Sequence, residues 1–179
     1  MLFRSPMTSP TTSPTPLDFC VDFTFPIVRV RKLQNGGQDC DGNILEVAMQ
    51  NDDLSVFTTL IVLAGLTEIF TCAGPFTALL PTNAAFDDVD QNLLDSLILP
   101  QNQNDLRRFL SYHFLPGAIL SNDFTDGPFE TLASSIEVDV TLGPLQFDGS
   151  GVIEIDMVAC NGYINILNGV LNIFEIRKC

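Results

Sequence analysis

The sequence contains no tryptophan, one histidine (His113) and two tyrosines among its 179 residues. With a single imidazole, a metal site would need carboxylates or thiolates around it, and none falls at a ligand spacing. A nucleophile–histidine–acid arrangement would need its nucleophile on a characteristic turn, and no G-x-S-x-G or similar motif is present. No catalytic, cofactor-binding or metal-ligating residue is therefore expected, no cofactor, and no enzyme. Positive charge is also scarce: 8 Lys and Arg stand against 22 Asp and Glu, a net charge of −14. The basic residues sit at Arg4, at Arg29, Arg31 and Lys32, at Arg107 and Arg108, and at Arg177 and Lys178. A surface this acidic repels phosphate backbones and anionic lipid, which makes nucleic acid and bare membrane poor candidate partners, and no nucleic-acid partner is expected. No uncharged apolar run approaches the roughly 18 residues a spanning helix needs, so no direct membrane insertion is expected. The run from Leu54 to Leu66 is too short and reads as a core helix.

The five cysteines, Cys20, Cys40, Cys72, Cys160 and Cys179, never form a C-x-x-C, which argues against a zinc ribbon or a thioredoxin-type site. Two disulfides plus one free thiol would suit an oxidising compartment, with about fifteen arrangements open. A set of buried free thiols is the alternative. The opening Met-Leu-Phe-Arg does not read as a signal peptide, so a secreted protein would be expected here as a mature form or a fragment. No N-x-S/T acceptor occurs, so N-glycosylation is not expected.

What the chain does have is apolar material, 46% hydrophobic with 14 Phe, enough for one packed domain plus an extra segment. Residues 5–16, SPMTSPTTSPTP, have nothing to bury, so 1–16 reads as a linker or stalk. Residues 17–39 form an extension of uncertain structure. Within it, LDFCVDFTFPIVRVRK reads as extended segments broken at Pro26, followed by an NGG turn at 35–37. The RVRK run suits an acidic partner, a second copy of the domain, or a strand edge guarded by charge. DCDGN at 39–43 fails as a calcium loop, because its glycine and its twelfth residue, Gln50, are wrong, and reads as a turn and helix cap.

From residue 40 onward a domain begins. Ile44, Val47 and Ala48 share a helical face, and Leu54, Phe57, Ile61 and Ala64 recur at helical spacing, with Asp52 or Asp53 expected as cap and Gly65 as terminator. PFTALLP at 75–81 reads as a buried strand, Thr82 as the cap of a brief helix, and 92–99 and 104–115 as further helices, the last stopped by Pro116-Gly117. Asp87, Asp88 and Asp90 read as a solvated helix end, with weak surface binding of a divalent cation as the alternative. After Ala118 strands take over: GPFETLA, SIEVDVTL, LQFD, GVIEIDMVA, YINILN and VLNIFEI, parted by Gly-Pro, Asp-Gly-Ser-Gly and Asn-Gly turns. Helices first and strands second predict an α+β domain with a mostly antiparallel sheet.

Three stretches, FTALLPTNAAF (76–86), SYHFLPG (111–117) and NGYINILNGVL (161–171), resemble in order the signature blocks of fasciclin domains. The resemblance covers about residues 40–176, within a domain taken as 40–179. Leu79-Leu80 stands where the family usually has Phe-Ala, Asn165 where a histidine is common and Asn168 where an aspartate is common. The two asparagines remove ionisable groups from the third block. The resemblance implies a wedge-shaped β-sandwich carrying a layer of short helices from the N-terminal half. It also implies a non-enzymatic module for adhesion or matrix organisation, extracellular or at the cell surface, whose partners are extracellular proteins or polysaccharides. An accessory subunit of a larger membrane-associated assembly, for example in a plastid (thylakoid) lumen, is the alternative. As structural signature residues it points to Pro81, Thr82, Asn83, Phe86, His113, Asn161 and Gly162. A partner contact around Tyr112, His113, Phe114 and Leu115 is the functional alternative to a core role. On the residues alone, His113 follows Leu106, Phe109 and Leu110 at helical spacing, which turns the imidazole toward the core and a hydrogen-bonded partner.

Overall fold

Asn43 accepts a hydrogen bond from the Glu46 amide at 3.0 Å while Glu46 Oε2 accepts from the Asn43 amide at 2.9 Å. This reciprocal box starts α1 (Ile44–Met49). The computed structural model describes residues 42–72, 74–133 and 136–171, without the Cys72 side chain. The stalk 1–16, the extension 17–39 and most of the strand expected at VLNIFEI lie outside these residues, as do Cys20, Cys40 and Cys179.

A short 3₁₀ turn at Asp52–Leu54 leads into α2 (Ser55–Ala64), whose Phe57, Leu60, Ile61 and Ala64 are buried. Gly65 ends it in the left-handed conformation, φ 67°, with its amide on the α2 carbonyls, as the terminator reading requires. The expected caps Asp52 and Asp53 belong instead to the 3₁₀ turn, which Asn51 caps. A helix not read from the sequence follows, α3 (Thr67–Cys72), whose Phe70 stacks on Phe114 with ring centroids 3.8 Å apart. The chain continues through strand β1 (Phe76–Pro81), α4 (Asn83–Asp87), α5 (Gln91–Leu97) and α6 (Gln103–Tyr112).

The helix expected over 104–115 stops at Tyr112, three residues early. His113 caps it at φ −84°, ψ 7°, and Phe114–Pro116 form strand β2 on β1, with Phe76 opposite Pro116 and Ala78 opposite Phe114. The Leu79 amide donates to the His113 carbonyl and the Leu132 amide to the Phe114 carbonyl, both at 2.8 Å. Sheet pairing thus takes the backbone groups that another helical turn would have used.

Strands β3 (Gly127–Glu130), β4 (Glu137–Thr141), β5 (Gln146–Phe147), β6 (Ser150–Ala159) and β7 (Gly162–Leu167) complete an α+β fold. The seven strands bond in the order β2-β1-β7-β6-β5-β4-β3. Every pairing is antiparallel except β1 with β7. That parallel pair lies inside the sheet, between β2 and β6, and Thr77–Pro81 and Ile164–Leu167 are buried throughout, as strands covered on both faces must be. Ten-residue β6 joins the two halves: its start pairs with β5 and its remainder with β7, with register shifts between Val152 and Met157. Buried residues from α1, α2, α3, α6 and most strands form one hydrophobic core, to which each fully buried Phe or Leu contributes about 1.5–3 kcal/mol.

Candidate functional site

His113 follows the last turn of α6, fully buried, with Phe57 and Phe109 ring centroids 5.2 and 5.0 Å away. Its Nδ1 lies 3.0 Å from the Phe109 carbonyl, and the Leu171 amide donates to Nε2 at 3.2 Å. A carbonyl can only accept and an amide only donate. The ring is therefore the neutral tautomer with the proton on Nδ1. Burial lowers its pKa from 6.5 to about 4, against the smaller upward pull of the Phe109 carbonyl. Both nitrogens are thereby used in tying α6 to the segment after β7.

Tyr112, Phe114 and Leu115 are as deeply buried as His113, so none of the four residues in the partner-contact alternative presents surface in the folded domain. Pro116 is the first exposed residue of this run. The Tyr112 hydroxyl donates to Asp148 Oδ2 at 2.5 Å, a short charge-assisted bond, and Asp148 Oδ1 accepts from the Asp139 amide at 2.8 Å. Burial above all, then this bond and the charges of Asp148 and Asp139, push the phenol far above its ordinary range, so Tyr112 remains a donor. Asp148 itself sits at φ 47°, a conformation few non-glycine residues adopt.

In the first block Pro81 ends β1, and Thr82 caps α4 by accepting from the Ala85 amide at 3.3 Å. Phe86 packs in the core. Asn83 reaches 27 residues back. Its Oδ1 accepts from the Val56 amide at 2.9 Å, and its Nδ2 donates to the Asp52 carbonyl at 2.9 Å and to Ser55 Oγ at 3.0 Å. Because Leu54 at the start of α2 offers no capping side chain, Asn83 does that work from a distance.

In the third block Asn161 Oδ1 accepts from the Ile44 amide at 2.8 Å, and its Nδ2 donates to the Phe70 carbonyl at 2.7 Å. Its carbonyl accepts from the Phe76 amide at 2.9 Å, so one residue fastens α1, α3 and β1 to the β6–β7 turn. Gly162, at φ 154°, lies so close to β1 that any Cβ would collide with the Phe76 backbone. Its constraint is this close approach more than the tight turn expected of Asn-Gly. Asn165 is buried, with Oδ1 accepting from the Asp156 amide at 3.0 Å and Nδ2 without a hydrogen-bond partner. Asp156 sits at φ 57° and accepts from both the amide and the hydroxyl of Ser121. Asn168 Oδ1 accepts from the Gly151 amide at 2.8 Å. The Asn165–Asp156–Ser121 chain carried no sequence signal, because it depends on the β6 bulges and on a distant loop.

Cys160, at the end of β6, is disulfide-bonded. Of the aspartates read as a solvated helix end, Asp90 caps α5 by accepting from the Asn92 amide at 2.9 Å. Among the described residues no group of three or more His, Cys, Asp or Glu is placed to hold a metal ion, and no helix is long and apolar enough to cross a membrane.

The fasciclin domain family model matches residues 52–173. Protein sll1483 of Synechocystis sp. is 33% identical over 129 residues, which is 72% of this chain and 72% of that protein. Human periostin is 28% identical over 133 residues, 70% of this chain but 15% of periostin. Among solved structures, a FAS1 domain pair from the insect cell adhesion molecule fasciclin I matches with a TM-score of 0.62 at 13% identity. The match covers 74% of this chain and 51% of that one, and is a likeness of fold.

Proposed function

The chain belongs to the fasciclin domain family, and from that premise we propose that it is a non-enzymatic binding module acting outside the cell, in adhesion or matrix organisation. The module spans residues 40–179 and is displayed on the Ser/Thr/Pro stalk of residues 1–16. The observation that carries this reading is the use made of polar residues in the three signature blocks. His113, Tyr112, Asn83 and Asn161 spend their polar groups on internal bonds between distant segments, which leaves the exterior to meet a partner. That exterior is acidic. Of the 22 acidic residues, only Asp18, Asp22, Asp39, Asp41 and Glu175 lie outside 42–171, whereas only two of the eight basic ones, Arg107 and Arg108, lie inside. Protein partners with a basic face are favoured, and their association should weaken as salt rises. The Cys160 disulfide supports an oxidising compartment. Periostin and the insect cell adhesion molecule, with which the chain shares its family or fold, support the adhesive reading. The purified chain is expected to bind at least one member of a panel of extracellular matrix proteins in biolayer interferometry. Silence across the panel at low salt would overturn the proposal.

A further inference from the structure

Strand β6 carries an unusual surface. Ile153, Ile155 and Val158 are 56%, 53% and 49% exposed, beside exposed Glu154. The side of β6 away from β7 is also nearly unpaired. It meets β5 only at Gly151 and Ser150, and the Val152 amide reaches the Leu145 carbonyl at 3.4 Å. From Ile153 to Val158 no described strand lies on that side. An open, apolar strand edge is a template for another strand.

We infer that this edge is the docking site of the chain's own segment Ile27–Lys32, which adds to β6 as a further strand. Pattern, charge and reach select this occupant. The first is pattern: extended IVRVRK places Val28 and Val30 on one face and Arg29 and Arg31 on the other, and Ile153-Glu154-Ile155 offers the complementary alternation. Glu154 is the free carboxylate of this stretch, since that of Asp156 is held by Ser121.

The second is charge. Residues 42–171 hold seventeen acidic and two basic residues, whereas Arg29, Arg31 and Lys32 are half of the six basic residues outside them. The third is reach. The Cys160 amide donates to the Gly42 carbonyl at 2.8 Å, so the chain enters the domain beside the end of β6. The ten steps from Lys32 to Gly42 span up to about 33 Å, and the strip from Ile153 to Val158 only about 17 Å. Main-chain bonds would supply the attachment and the side-chain alternation the register, with Arg31 and Lys32 left to guard the new edge.

Hydrogen–deuterium exchange on the full chain tests this. Peptides covering 27–32 and 153–158 should both be protected, and protection should fall at least tenfold in both when Arg29→Glu and Arg31→Glu are introduced together. Glu154→Lys should do the same, and combining it with the double reversal should restore protection, an outcome that mere misfolding of a variant cannot give. Protection in the wild type should survive hundredfold dilution of a monomer. Random-coil exchange of 27–32 in the wild type would overturn the inference, and so would protection lost on dilution from a dimer, which would make a second copy the occupant. Reversals that leave both peptides protected would overturn it too.

Discussion

Replacing His113 by Phe keeps an aromatic ring against Phe57 and Phe109 but removes the acceptor of the Leu171 amide and the donor to the Phe109 carbonyl. At pH 7.5, orphaning these buried groups should cost about 1–3 kcal/mol. The gap should then change with pH, with a sign fixed by linkage. The imidazole titrates at 6.5 when unfolded and at about 4 when folded, so between those values the unfolded chain binds the extra proton. The stability that wild-type His113 supplies is therefore complete above pH 6.5 and drains away as pH falls toward 4. Because the ring is fully buried, the loss reaches roughly 2–3 kcal/mol by pH 4.5. The carboxylates titrate in both proteins, so the difference between them isolates the histidine. Urea unfolding followed by far-UV circular dichroism at pH 7.5, 6.5, 5.5 and 4.5 measures it. The wild type should lead at neutral pH and the variant should draw level or pass it near pH 4.5. A constant gap across the series would refute the buried neutral imidazole.

Asn161→Ala severs bonds from the β6–β7 turn to α1 and α3, and should lower stability by about 2–4 kcal/mol in the same urea assay. Asn83→Ala uncaps α2 from outside the helix and should cost about 1–2 kcal/mol, with Asn83→Asp, which keeps an acceptor for the Val56 amide, losing less. Tyr112→Phe strands Asp148 beside a buried ring and should cost about 1–3 kcal/mol, and in the wild type the Tyr112 phenol should stay protonated in an ultraviolet titration to pH 11.

The α+β class, the buried strand at Phe76–Pro81 and the helix over Ile44–Met49 were legible because each rests on local periodicity or local caps. Gly65 and Thr82 were legible for the same reason. The end of α6 was not, because β1 claims the His113 carbonyl, and nothing in residues 104–115 records that competition. The cap of α2 is not legible locally, because the side chain that supplies it, Asn83, is remote in sequence. Helix α3 starts two residues after the terminator Gly65, where the local pattern signals an end rather than a start. At the candidate site, spacing showed which way His113 points. Its second partner, the Leu171 amide, lies 58 residues away, and the tautomer follows only when both partners are known. Asp156 and Asp148 at positive φ were beyond sequence reasoning, because each is held there by bonds from another strand or loop.

Whether partners meet the exterior of this domain or its central signature is tested most directly by one comparison. A matrix protein captured by the wild type is titrated against His113→Phe at pH 7.5, well below the melting temperature of the variant. Affinities within about threefold of each other are expected, since the ring is buried in the folded domain. A folded variant that has lost binding tenfold or more would place His113 in the contact and contradict a scaffold role.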